Sequence, residues 1–332
     1  MKVRQNLCVN DELDQLIRRA DLDELVRYVD STCSARDWEH VLEIRNEARN
    51  AVNTGRQLWP IATLANFRLA LWAPAELAVR ALDDTARTFM PGPVSEIIAQ
   101  YHRWEELDEY LSDGHDRSLI AYERALRGDV IPPYEHQALD IPFALAEWEP
   151  EYNAPSYSDD GVVDAMPSLH TKWHACATRI ADPIDDDTTH SFTRLMEPWT
   201  AHSNGHARAV VVEGELEDAL GALQLTNVDF SELTPDVALR WLTWAASSGG
   251  AHGKRRGMAS GRSEALWLLA TFTGLDETWP RSFNELGDVV RNQLEFFAFT
   301  ATNHLDREWW LQLAIVDPHE GLTAAFIARD NV

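Results

Sequence analysis

Residues 309–328 read WWLQLAIVDPHEGLTAAFIA, and this stretch indicates most directly how the second half of the chain folds. Its two apolar runs, 309–316 and 322–328, have the length and composition of buried strands. The link Asp317–Gly321 contains proline and glycine, which are typical of a turn between antiparallel strands. Because Leu294–Thr300 has a similar composition, the sequence predicts a small antiparallel sheet in this region.

Helical and strand patterns are mixed upstream of this sheet. Ala209–Val212 predicts a strand, and Glu215–Leu223 predicts a short helix. Thr234 and Pro235 are typical of a helix start, because proline is accepted in the first turn, and this helix should continue through Trp244. A further helix is expected over 262–272. Residues 169–332 are therefore predicted to form an α+β domain with helices packed on the sheet.

The first 127 residues carry the periodicity of consecutive helices instead. Leu22, Leu25, Val26 and Val29 recur at i, i+3, i+4 and i+7, which places them on one helical face. Breakers such as the Pro91–Pro93 turn separate segments of about 10–18 residues, a normal helix length. Because short connections favour antiparallel neighbours, residues 1–127 are predicted to form helical hairpins. No fixed period recurs, which favours an irregular array over a repeat solenoid.

Residues 128–168 are predicted to be an irregular, proline-rich connection. Pro132, Pro133, Pro142, Pro150 and Pro155 interrupt a stretch that has little helical period. The predicted fold class is therefore mainly α with an α+β C-terminal half. In this prediction an irregular helical-hairpin array is followed by helices packed on a small antiparallel sheet.

Composition excludes several classes of protein. The 332 residues include 54 acidic and 29 basic side chains, which gives a net charge of −25. A chain this acidic repels nucleic acid and anionic membranes, so neither is expected as a partner. The three cysteines form no CxxC pair, which fits reduced thiols. Since no signal core or membrane-spanning apolar run is found, we expect a cytoplasmic protein.

Residues 237–263 are unusual in this acidic chain because they contain five basic residues and no acid. Small residues also recur every fourth position here, at 245, 249, 253, 257, 261 and 265. Glycine is costly within a helix, so something is expected to approach this backbone closely. The candidate ligand-binding residues in this segment are Gly249, Gly250, His252, Gly253, Lys254, Arg255, Arg256 and Arg262.

Three interpretations of this segment remain open. Another helix could cross the small residues while the arginines pair with acids of the same chain, such as Asp185, Asp186 and Asp187. A glycine-rich loop could hold a small anion or phosphate with its amides and arginines. A basic patch could instead face a protein partner. A nucleotide-binding P-loop is excluded, because Ser248 stands where its first glycine belongs.

Four histidines form weak candidates for a metal site. His170 and His174 are four residues apart, a spacing that would place both on one face of a helix, and His202 and His206 repeat it. Two loose pairs fall short of a specific ligand pattern, and no HExxH motif is present. We therefore predict no metal and no cofactor, and we assign no catalytic residue.

The most direct functional hypothesis is a non-catalytic protein-interaction module that binds a protein partner through its helical first half. The alternative is a protein or enzyme that binds an anion or phosphate ligand in a pocket at residues 249–262. Neither hypothesis predicts an oligomeric state.

Overall fold

The computed structural model describes residues 12–84, 89–133, 136–169, 172–301 and 309–331. These residues form two units. Unit 1 contains the chain up to Arg124 together with Tyr157–Val162, and unit 2 contains Ala125–Ser156 and the chain from Val163 onward. The division of the chain at 127 and 168 that the sequence indicated stays a prediction.

Unit 1 is built from helices. Their bounds are residues 12–19 (α1), Leu22–Ser34 (α2), Trp38–Asn53 (α3), Trp59–Trp72 (α4), Ala75–Ala78 (α5), Val94–Tyr101 (α6), Trp104–Leu107 (α7) and His115–Leu126 (α8), with a 3₁₀ turn at Val79–Asp83. Carboxylates begin the two helices at the α2–α3 hairpin: Asp21 accepts a hydrogen bond from the Glu24 amide, and Asp37 accepts one from the His40 amide. Each satisfies a backbone donor that the helix itself leaves free.

Helix α4 lies at the centre of unit 1, with α2, α3 and α6 packed against it. Buried apolar residues lie on every side of this helix, as expected of a helix surrounded by others. Its buried Asn66 is hydrogen-bonded to Arg45 Nη1 at 3.1 Å and donates to the Ala81 carbonyl at 3.0 Å. These bonds satisfy polar groups that would otherwise destabilise the core.

A short later segment completes unit 1. Strands β1 (Ser156–Ser158) and β2 (Gly161–Val163) pair with each other. Tyr157 is buried, and its hydroxyl donates a hydrogen bond to the buried Glu96 carboxylate. The Gln100 side chain accepts from the Tyr157 amide at 2.5 Å and donates to the Tyr157 carbonyl at 3.0 Å. Tyr157 is thereby held against α6.

Unit 2 contains a six-stranded sheet in which every pairing is antiparallel. The spatial order is β3-β5-β6-β7-β8-β4. The strands are His174–Cys176 (β3), His206–Glu213 (β4), Val228–Leu233 (β5), Glu295–Ala301 (β6), Trp310–Asp317 (β7) and Leu322–Arg329 (β8). In register, Ile315 of β7 and Val211 of β4 both face Ala324 of β8, so β8 is a central strand.

Helices cover both faces of this sheet. The helices of unit 2 are Asp187–Leu195 (α9), Glu197–His202 (α10), Leu216–Ala222 (α11), Pro235–Ser247 (α12), Met258–Phe272 (α13) and Phe283–Asn292 (α14). Helices α9 to α12 contact the sheet, whereas α13 packs on α9 and α12, and α14 packs on α13. On one face α11 packs on Val210, Val212 and Ala325. On the other, Phe192 of α9 stacks on Phe326 at 4.6 Å. Because both faces are buried, the central strands read as continuous apolar runs.

The predicted fold class is confirmed, and the three predicted C-terminal strands match β6, β7 and β8 to within a residue. Residues 128–168 were expected to be irregular, but they include β1 and β2. Helices α9, α10 and α14 and strands β3 and β5 were not predicted. Of the helices within the described ranges, none is long and apolar enough to cross a membrane.

Candidate functional site

The glycine- and arginine-rich segment covers the turn-containing connection between two helices and the start of the second helix. Helix α12 ends at Ser247 and α13 begins at Met258, so Gly249, Gly250 and Gly253 lie in the connection. Gly257 precedes α13 with a φ of +96°, which only glycine adopts readily. Within α13, a Cβ on Gly261 would lie 2.6 Å from the Ser247 Cβ. The small residues therefore allow the chain to approach itself.

Arg262 of α13 forms a fully buried ion pair with Glu149. Its Nε and Nη2 each lie 2.6 Å from one carboxylate oxygen, and its Nη1 donates to the Pro142 carbonyl at 2.8 Å. Tyr152 donates to the same carboxylate at 3.1 Å, and burial raises the pKa of Tyr152 well above its ordinary value. This guanidinium is fully used in joining the 142–152 segment to α13.

The other polar groups of the turn also have partners in unit 2. Arg255 pairs with Asp164, and both side chains are buried. Arg256 lies 3.3 Å from the Glu197 carboxylate. The Ala251 amide donates to Asp330 at 2.6 Å and the His252 amide donates to Ser203 at 3.0 Å, while Lys254 is exposed.

Intramolecular pairing is what the helix-crossing interpretation expects, although these carboxylates differ from the predicted Asp185, Asp186 and Asp187. Asp186 instead accepts from the Thr188 amide at the start of α9. Binding of an anion at residues 249–262 stays a prediction.

The candidate metal ligands lie on different elements. His174 is in strand β3, so the helical face expected for it and His170 is wrong, and His170 itself lies outside the described residues. His202 ends α10 and His206 begins β4. Within the described ranges, no group of three or more His, Cys, Asp or Glu side chains is arranged to hold a metal ion.

A cleft of about 980 Å³ lies in unit 1, and no sequence pattern indicated it. The end of α2, the α2–α3 connection and the end of α4 form its walls, together with His102 and the β1–β2 turn. The residues that line it are Asp30, Cys33, Ser34, Arg36, Trp38, Arg68, Trp72, Ala73, Pro74, His102 and Asp159.

Arg68 organises this cleft. Its side chain is only 9% exposed, and its guanidinium carbon lies 4.6 Å from the centre of the Trp72 ring. Arg68 Nη1 is 2.9 Å from an Asp159 oxygen, and Nη2 is 3.3 Å from an Asp30 oxygen. The two carboxylates are 57% and 50% exposed. Because a buried cation needs a counter-ion, these carboxylates stay beside Arg68 while their outer surfaces face solvent.

Two other lining groups are neutral at pH 7. The His102 Nε2 donates to the Ala73 carbonyl at 2.9 Å, and burial is the main cause that lowers the pKa of this imidazole. Its Nδ1 is therefore a hydrogen-bond acceptor. Burial also raises the pKa of the Cys33 thiol to about 11, so this thiol is a poor nucleophile. The groups of this cleft suit binding better than covalent chemistry.

The Arg68–Trp72 pair could have been noticed in the sequence, because residues four apart share a helical face. Asp159 could not, since it lies 91 residues further along the chain.

Exposed aromatic residues are confined to unit 1 in the part of the chain that the structure describes. They are Trp59, Trp72, Phe89, Tyr101 and Tyr110. Trp59 and Phe89 pack against each other with ring centres 4.7 Å apart, and Phe89 is 71% exposed. The exposed large apolar residues of unit 2 are Val130, Val163 and Ile180, none of them aromatic. Among the described residues, exposed aromatic side chains therefore distinguish unit 1 from unit 2.

The chain belongs to a family of unknown function, DUF6183, whose model matches residues 23–331. The match covers nearly all of both units. No curated protein and no solved structure matches the chain.

Proposed function

We propose that this is a non-catalytic protein that binds a protein partner through the helical surface of unit 1. The five exposed aromatic residues of that unit carry the proposal. Aromatic side chains are enriched at protein interfaces and supply much of the binding energy there, because each buries a large area with little loss of conformational freedom.

The burial of tryptophan side chains in unit 2 supports this proposal, because it contrasts with the exposure of aromatic residues in unit 1. Nine of the 13 tryptophans lie there, yet Trp199, Trp241, Trp244 and Trp310 are buried in its core. Aromatic residues are thus left in solvent in unit 1 although the same chain buries them elsewhere. We place the binding in the cytoplasm, since Cys33 and Cys176 are free thiols, as expected of a reducing compartment.

A comparison of surface variants tests this proposal. Full-length protein is immobilised, and proteins retained from an extract of its own cells are identified by mass spectrometry. The double variant Phe89→Ser/Tyr101→Ser changes two exposed aromatic side chains of unit 1, and Ile180→Ser, at an exposed apolar residue of unit 2, is the matched control.

We expect a partner that the wild type and Ile180→Ser retain equally and that the double variant loses. The purified partner should bind the double variant at least about tenfold more weakly, a loss of about 1.4 kcal/mol. Equal binding to all three proteins, or retention of no partner by the wild type, would overturn the proposal.

A further inference from the structure

We propose that the cleft of unit 1 binds a basic side chain, arginine or lysine, on a segment of the partner, with Asp30 and Asp159 pairing with its charge and Trp72 contacting its stem. This inference rests on the proposed function and specifies which kind of side chain the partner contributes. The proposed contact joins a cation of the partner to two carboxylates and an aromatic ring of the cleft.

The charges around Arg68 favour a cation over an anion. Arg68 is buried, and its Nε and Nη1 have almost no contact with solvent. Asp30 and Asp159 are each about half exposed, so a ligand beside Arg68 meets carboxylate oxygens and not the buried guanidinium. Two carboxylates share this one guanidinium, so the cluster of these three residues has a net negative charge. The exposed Arg36 brings the formal charge of the whole lining to zero, which places the site for a cation at the two carboxylates.

The aromatic wall favours the same ligand. Trp72 already stacks with one guanidinium, yet it remains 38% exposed. A tryptophan ring attracts cations through its electron-rich face, and arginine exploits this best because its guanidinium is planar. His102 also lines the cleft, and its Nδ1 lies 4.0 Å from the half-exposed Glu106 carboxylate. The net charge of −25 draws basic ligands toward the protein from a distance.

The size of the cleft favours a polypeptide over a free small cation. Its volume of about 980 Å³ is at the upper end of the range of about 300–1,000 Å³ for small-molecule sites. A single guanidinium group would leave most of that space empty. A segment of several residues could place its basic side chain between the carboxylates and pack its neighbours against Trp38 and Pro74.

Fluorescence anisotropy with labelled peptides tests the inference on the unaltered protein. The probes are short glycine–serine peptides with a central Leu-Xaa-Leu, where Xaa is arginine, lysine, citrulline or glutamate. Citrulline keeps the shape of arginine and removes its charge. We expect the arginine peptide to bind about tenfold or more tightly than the citrulline peptide. Binding of the arginine peptide should weaken with added salt.

Variants of the carboxylates locate the site. Asp30→Asn and Asp159→Asn should each weaken binding of the arginine peptide about fivefold or more, since each removes one partner of the cation. Asp160→Asn is the matched control, because Asp160 is exposed beside Asp159 and is not part of the cleft. Circular dichroism melts check that each variant is folded. If either cleft variant is unfolded, the affinities of the wild-type protein for the arginine and citrulline peptides still decide whether the charge is recognised.

Other outcomes overturn the inference. Equal binding of the arginine and citrulline peptides would exclude recognition of charge, and tighter binding of the glutamate peptide would point to an anion site at Arg68 and Arg36. Methylguanidinium that binds as tightly as the peptide would indicate a small-cation site instead of a partner segment. If any of these results accompanies a partner lost by Phe89→Ser/Tyr101→Ser, the proposed function stands and only the inference about the cleft fails.

Discussion

Unit 1 and unit 2 both combine arginine, carboxylate and tryptophan side chains, but the exposure of these side chains differs between the two units. In unit 2, Arg262 and Glu149 are fully buried, and tryptophans such as Trp199 and Trp244 meet edge to face inside the core. In unit 1, Arg68 is buried but its carboxylates are half exposed, and its stacking partner Trp72 reaches solvent. The two arginines therefore differ in the exposure of their carboxylate partners, which are enclosed at Arg262 and reach solvent at Arg68.

The largest effect is expected from Arg262→Gln. This variant leaves Glu149 buried without its counter-ion, which should lower the free energy of unfolding by about 3–5 kcal/mol. Urea denaturation followed by circular dichroism measures it. Arg291→Gln is the control, because Arg291 and Asp288 form an exposed pair and should contribute little. A loss no larger than that of the control would mean that the buried pair of unit 2 is not a scaffold element.

Gly261→Ala tests the close approach of α12 and α13. Alanine is normally the better helix former, but here its Cβ would lie 2.7 Å from the Thr243 carbonyl oxygen. The overpacked variant should lose about 1–3 kcal/mol of stability. Ser263→Ala, two residues further along α13, serves as the control. A stabilised Gly261→Ala variant would show that the two helices have room to separate.

The loss in free energy of unfolding caused by Arg68→Gln is to be compared directly with that caused by Arg262→Gln. Its two carboxylates are hydrated on their outer sides, so losing the arginine should cost only about 1 kcal/mol. The same urea titration measures it. A loss as large as that of Arg262→Gln would remove the distinction between the two units, because the Arg68 cluster would then be part of the scaffold.

The smallest effect concerns the reactivity of Cys33 and leaves stability unchanged at neutral pH. A thiol pKa of about 11 instead of 9.0 lowers the thiolate fraction near neutral pH about hundredfold. In a variant with Cys8 and Cys176 replaced by serine, alkylation by iodoacetamide should be slower than that of a small thiol by at least this factor. Alkylation at the rate of the small thiol would contradict burial of Cys33 in the cleft wall.

Raising the pH should also destabilise the fold through Cys33. The folded-state pKa lies above the unfolded value, so the unfolded chain loses this proton first as the pH rises from about 9 to about 11. The free energy of unfolding should fall over that window. Cys33→Ala should reduce the decline, and an identical decline in the variant would assign it to other groups.

Local patterns predicted the parts of the fold that local chemistry determines. The two strands around Asp317–Gly321 were found because a continuous apolar run and its turn are adjacent in sequence. The sequence of α14 also carries a helical pattern, since Phe283, Leu286 and Val290 share one face, although no helix was predicted there. The partners of β5 lie far away in the chain, at β3 and β6, and periodicity does not specify which strands pair.

The candidate site was less accessible to sequence analysis for the same reason. Glu149 and Arg262 are 113 residues apart, and no pattern indicated that they meet. The excess of basic residues and the glycine spacing predicted a site at residues 249–262. There Arg255, Arg256 and Arg262 pair with carboxylates of the same chain. The cleft depends on Asp30, Arg68 and Asp159, which come from three separate segments and are each unremarkable in an acidic chain.

The chain passes from unit 1 to unit 2, returns to unit 1 for one short segment and then continues in unit 2, which limits how the protein can be cut into fragments. Tyr157–Val162 belongs to unit 1, although the residues on either side of it belong to unit 2. A fragment cut after Arg124 would lack Asp159, and Glu96 and Gln100 would lose the tyrosine that they hold. Any minimal version of unit 1 must therefore supply this hexapeptide, either as an added peptide or through an engineered linker.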